Sequence, residues 1–222
     1  MKKPPTRAHA FVIGLVTGTL NFVIAIYVFG GWHTFFSHRA LAALALVTIA
    51  MMCVAPLSNG NLSSGEKEDR GNRWVFAAFA LIALAGTIVS PYTDRIGFLT
   101  IDGETTRWLG VVVYALGSVL RLWPVFVLGF RFSGLVAIQP CHTLETHGIY
   151  SLVRNPSYLG MIVLMLGWGL AFRGWCGVVI ALMLLIPLIP RIRAEERLLH
   201  AHFGAAYDAY VAHTWRLVPW VY

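Results

Sequence analysis

The sequence predicts an all-α, polytopic transmembrane helix bundle: four spanning helices, then a C-terminal helical hairpin, with a cofactor pocket on the cytoplasmic side. Three observations predict it. The chain of 222 residues is 58% apolar and only 12% charged, against about 25% charged residues in soluble proteins. Its mean hydropathy is +0.69. Its apolar residues are gathered into long runs, and its polar residues into the gaps between them.

Four runs, from about Phe11 to Gly30, Leu41 to Leu57, Trp74 to Ser90 and Trp108 to Leu128, approach the roughly 20 residues that cross a hydrocarbon core. No small-residue cleavage pattern closely follows the first run, so it is expected to be retained as a helix. Two further arms, Tyr158 to Phe172 and Trp175 to Pro190, are joined only by Arg173-Gly174. Such a link permits nothing but a tight antiparallel turn. Arg191 to Phe203 reads as a helix, Gly204 as its break, and Ala205 to His213 as a last short helix. Residues 1–106 are thus expected to supply N-terminal membrane helices, and residues 107–222 the functional core.

The net charge of +7 does not imply nucleic acid, because the cations form no basic arm interleaved with aromatics. Lys2, Lys3, Arg7, Lys67, Arg70, Arg73, Arg131, Arg154, Arg191, Arg193, Arg197 and Arg216 all fall on one side when the spans are counted. The positive-inside rule makes that side the cytoplasm, with both termini and the polar site there. The opposite loops include Asp94, Asp102 and Glu104. Cys53, Cys141 and Cys176 share no metal or redox spacing, so neither a disulfide nor a structural metal is expected.

Between Gly129 and Pro156 the apolar periodicity fails. Connectors of that length are functional or disordered. This one carries Gln139, His142, His147, Tyr150, Arg154 and Asn155, with Tyr158 just beyond it. Aromatic faces can stack on a base or lie over a cation, while Arg and Asn give directional hydrogen bonds. Across the hairpin, Arg191 and Glu195 are spaced i, i+4 on one helix face, with Arg193, Glu196 and Arg197 on the same turn. By itself that cluster reads equally as headgroup anchoring. Arg121 is the one formal charge expected well inside a span. Both a site role and snorkelling to the interface stay open for it. No GxGxxG or Walker loop is present.

Taken in order, His142-x-Leu144-x-x-x-Gly148-x-Tyr150-x-x-x-Arg154-Asn155-Pro156-x-Tyr158-x-Gly160, then Arg191-x-x-x-Glu195-Glu196, then His202-Phe203-Gly204-x-x-Tyr207-x-x-Tyr210 and Arg216-x-x-Pro219, resemble the isoprenylcysteine carboxyl methyltransferase family. The likeness covers about the last hundred residues. It departs from the family's usual Arg-His-Pro at Asn155. The resemblance implies an S-adenosylmethionine site built from Gln139, His142, Leu144, Gly148, Tyr150, Arg154, Asn155, Tyr158 and Glu196, with Arg191 and Glu195 beside the transferable methyl. It also implies a prenylated or other lipophilic acceptor entering from the bilayer. A thiol or phospholipid-amine acceptor remains an alternative, as does an NADPH-dependent, sterol-reductase-like membrane enzyme. A transporter is disfavoured because no repeat is visible and, Arg121 apart, no ionisable residue is expected inside the spans.

Overall fold

A computed structural model describes residues 7–140 and 142–222, with side chains from residue 14 onward. Lys2, Lys3 and Cys141 lie outside the described residues. The chain forms α1 (Arg7–Phe29), α2 (Trp32–Ser37), α3 (Arg39–Val54), β1 (Lys67–Glu68), α4 (Trp74–Ile96), α5 (Glu104–Leu128), β2 (Ala137–Ile138), α6 (Pro156–Ala171), α7 (Trp175–Met183), α8 (Leu185–Phe203) and α9 (Ala205–Val211). It is a multi-pass membrane bundle. Among the residues whose side chains are described, four stretches are long and apolar enough to cross a bilayer, Arg39–Leu57, Arg70–Ile96, Glu104–Arg131 and Trp175–Phe203, and Gly14–Phe29 of α1 and Pro156–Ala171 are apolar helix as well. Leu46, Leu81, Leu116 and Val119 are more than half exposed, as lipid-facing side chains must be.

Antiparallel α5 and α6 form the spine. Cβ atoms added at Gly110, Gly117, Gly160 or Gly167 would overlap the backbone of Ala171, Leu164, Arg121 and Tyr114 respectively. These small residues let the two backbones touch, and dispersion contacts made at that distance hold helices together where lipid offers no hydrophobic drive. The constant register sets Arg121 of α5 beside the first turn of α6.

The hairpin differs from the sequence expectation in one respect. Its second arm does not end at Pro190: α7 stops at Met183, and α8 carries straight on from Leu185 to Phe203. Pro187 explains the break, since it lacks the N–H that would bond the carbonyl four residues back, at Met183. Pro190 lies inside α8. The membrane arm and the helix bearing Arg191 and Glu195 are therefore nearly one rod.

At the hairpin turn, Arg173 adopts φ 48° and its backbone carbonyl accepts a hydrogen bond from Ile101 N at 2.6 Å. Its guanidinium donates to Asp94 Oδ1 at 3.1 and 2.9 Å, while Arg107 Nη1 donates to Asp94 Oδ2 at 2.5 Å. Asp94 and Arg107 are 5% and 2% exposed. This corrects the expectation that Arg121 alone brings charge into the spans. Helices α4 and α5 run further than their apolar runs, so both ionic residues lie inside helices and satisfy one another.

At the other end, β1 and β2 pair antiparallel, Lys67 opposite Ile138 and Glu68 opposite Ala137. This small ribbon departs from all-α structure, as do isolated bridges such as Val153 with Trp215. The ribbon ties the loop before α4 to the connector after α5.

Candidate active site

Arg191 is 4% exposed. Its Nε donates to the Tyr158 hydroxyl at 2.6 Å, and that hydroxyl donates to Glu195 Oε2 at 2.7 Å. The expected Arg191 and Glu195 pair is thus a relay through a phenol rather than a direct ion pair. Arg191 Nη2 donates to the Gly134 carbonyl, and the guanidinium lies 5.1 Å from the centroid of the Phe76 ring and 5.7 Å from that of Tyr158. Nη1 is buried without a partner. A packed, charged group with one unused donor is suited to an anionic atom arriving from outside.

Arg121 joins this group. Its Nη1 donates to Ser157 Oγ, which donates back to the Arg121 carbonyl at 3.0 Å, and its charge acts on Tyr158, Arg191, Glu195 and Tyr150. It does not snorkel to the surface.

A small cavity of about 60 Å³ lies between α8 and the connector, lined by His142, Glu195, Leu198, Leu199, Ala137 and Arg131 among others. The His142 Nδ1 atom is buried and unpartnered. Burial, then the charges of Arg131 and His202, push its pKa below the ordinary value, so the ring is neutral at neutral pH. Burial drives the Tyr150 hydroxyl the other way, far above its usual range. Gln139 donates to the Ser63 carbonyl at 3.1 Å. Leu144 is half-buried, and Gly148 sits exposed at φ 60° in the turn before Tyr150.

Arg154, Asn155 and Glu196 are brought together, but around the C-terminal tail. Arg154 Nε meets Glu196 Oε1 at 3.1 Å, and Arg216 Nε meets Glu196 Oε2 at 2.8 Å. Arg154 also donates to the Val211 carbonyl at 3.3 Å and to the Thr214 carbonyl. Asn155 Nδ2 donates to the Arg216 carbonyl at 2.8 Å, so the amide at this position holds the tail. Gly134, Ser63, Phe76 and Thr214 were not legible as site residues. They reach it through loop and tail contacts that carry no local sequence signal.

A larger cavity, about 640 Å³, opens within the apolar body between α1, α3, α4, α5 and α6, lined by Asn21, Thr48, Met52, Tyr114, Met165 and Trp168 among others. Met165 is about two helical turns along α6 from Tyr158.

Residues 105–206 match the model of a family described as phospholipid methyltransferase. The resemblance to membrane methyltransferases holds. Protein-S-isoprenylcysteine O-methyltransferase A of Arabidopsis thaliana is 30% identical over 118 residues, half of this chain and 58% of that protein. Steroid 5-alpha-reductase DET2 of Solanum lycopersicum is 28% identical over 99 residues, 45% of this chain and 37% of that one. Among solved structures, the eukaryotic intramembrane Ras methyltransferase ICMT (isoprenylcysteine carboxyl methyltransferase) aligns with TM-score 0.51 and 22% identity, over 97% of this chain and 75% of that one. The fold is therefore that of this intramembrane methyltransferase. The chain spans less than two thirds of the length of the curated relatives it matches.

Proposed function

We propose that the protein moves a methyl group from S-adenosylmethionine to the carboxylate of a lipophilic, isoprenylcysteine-like acceptor at the edge of the bilayer, with the connector end facing the cytosol. The buried Arg191, with Nη1 unpartnered, carries this reading. The likeness to methyltransferases supports it.

When bound, the cofactor supplies an electrophilic methyl on a sulfonium. The donor set fits such a group: an orphaned His142 nitrogen, the Glu195 carboxylate and apolar Leu198 and Leu199 meet at the connector cavity. At about 60 Å³ that cavity is far below the roughly 300–1,000 Å³ of small-molecule sites, so binding the cofactor would require it to widen. A carboxylate acceptor is already ionised at neutral pH and needs no general base. It needs alignment and exclusion of water. Arg191 Nη1 holds one carboxylate oxygen, while Tyr158 and the Gly134 carbonyl fix the guanidinium plane. Arg121, bound to Ser157 next to Tyr158, adds a second positive charge to the neighbourhood of Arg191. That charge favours an anionic acceptor over an amine. The acceptor's apolar tail fits the 640 Å³ cavity.

The reductase relative motivates a second reading, a pocket for NADPH. Calorimetric titration of the detergent-purified protein with S-adenosylhomocysteine and with NADPH separates the two. Micromolar affinity for the first alone is expected; binding of NADPH alone would replace the methyltransferase reading with the reductase one.

A further inference from the structure

The side of α8 away from the small cavity carries charge that the fold leaves uncompensated. Arg193, Glu196, Arg197 and His200 of α8 line an open cleft of about 670 Å³, which Asp208 of α9 and Arg216 of the tail help to close. Its carboxylates are engaged: Glu196 meets Arg154 and Arg216, and Asp208 Oδ1 lies 2.9 Å from His200 Nε2. Arg193 and Arg197 are exposed. Among the described residues, neither has a carboxylate within ion-pair distance. Their i, i+4 spacing aims both guanidinium groups from one helix face.

The cleft lies where α8 leaves its apolar stretch, and the tail that enters it at Arg216 exposes aromatic surface. Trp215 is 38% exposed, Trp220 80% and Val221 78%, with the two indole rings 6.5 Å apart. Exposed tryptophans beside arginines at the end of a span mark the headgroup level of a bilayer. We propose that this cleft binds the phosphate headgroup of an anionic phospholipid. Arg193 and Arg197 donate to the phosphate oxygens, and Trp215 and Trp220 lie against the glycerol and upper acyl chains. A zwitterionic headgroup brings its own ammonium into a cationic cleft and is held less well. The exposed indoles favour a lipid over a free phosphate, which has no apolar part to cover them.

Native mass spectrometry of the full chain, released from micelles holding equal amounts of phosphatidylglycerol and phosphatidylcholine, tests the proposal. One retained phosphatidylglycerol is expected, preferred by about 30-fold, as two near-surface arginines supply. R193Q/R197Q should abolish the preference; R193K/R197K should keep most of it; R39Q, at the opposite end, should leave it unchanged. Equal retention of both lipids by the wild type would overturn the proposal, as would a preference that survives in R193Q/R197Q. Occupancy by glycerol 3-phosphate alone, at the strength of the lipid, would assign the cleft to free phosphate and overturn it too. If R193Q/R197Q melts early, R193K/R197K decides: a folded lysine variant that loses all preference contradicts binding by charge.

Discussion

Tyr158 joins the two residues to which the proposed function gives the main roles, Arg191 and Glu195. Its hydroxyl accepts from Arg191 and donates to Glu195, which fixes both groups; in the proposed reaction the first would hold the acceptor carboxylate and the second would face the cofactor. Tyr158→Phe removes one oxygen and leaves the ring under Arg191. Methyl transfer is expected to fall about 100-fold, in the range that misplacement of a positioning group costs, with the melting temperature little changed. His142 gives the site a pH dependence. Its pKa is lowered in the folded chain, so above the unfolded value of 6.5 both states hold it neutral and nothing is lost. As pH falls through that value toward the lower folded one, the unfolded connector takes up the proton first and local stability declines. Amide protection factors across residues 137–150, taken against intrinsic exchange at each pH, should fall below about pH 6.5 in the wild type and lose that dependence in His142→Gln.

Helices α5 and α6 meet backbone to backbone, and the position of Arg121 beside Ser157 depends on that register. Gly117→Val places a branched side chain against Leu164 and should cost about 3 kcal/mol, the upper end of overpacking, measured as a lowered denaturation midpoint in detergent. The apolar runs placed these helices because length and hydropathy are local properties. The break at Leu184 was not visible as such, since two prolines, Pro187 and Pro190, compete to end that arm and only Pro187 faces the carbonyl that matters. The ribbon of Lys67–Glu68 with Ala137–Ile138 was hidden for a related reason: two-residue strands have no period to detect. Among site residues, Arg191, Glu195 and Tyr158 were legible from motif order. The Gly134 carbonyl and the Phe76 ring were not, because each reaches Arg191 from a segment far away in the chain.

Across the whole molecule, ionic networks close both ends of an apolar body. At one end Asp94 binds Arg107 and Arg173 and pins the hairpin turn to α4 and α5. At the other, Glu196 binds Arg154 and Arg216 and fastens the tail over the connector. Asp94→Asn removes the carboxylate shared by the buried Arg107 and the partly exposed Arg173. About 3 kcal/mol of stability should go with it, while S-adenosylhomocysteine affinity in the surviving folded fraction stays near wild type, because that network lies at the end remote from Tyr158. Between the two ends, Met165, which lines the cavity within the apolar body, lies about two turns of α6 from Tyr158. That separation suits an acceptor with an apolar tail and an anionic head.

The most direct measurement is transfer of isotopically labelled methyl from S-adenosylmethionine to N-acetyl-S-farnesylcysteine, beside its decarboxylated analogue, for wild type and Arg191→Ala. The account predicts a base-labile methyl ester formed by the wild type on the carboxylate substrate alone, and a loss of at least about 100-fold in the variant. Equal labelling of the decarboxylated analogue, or full turnover by Arg191→Ala, would contradict it.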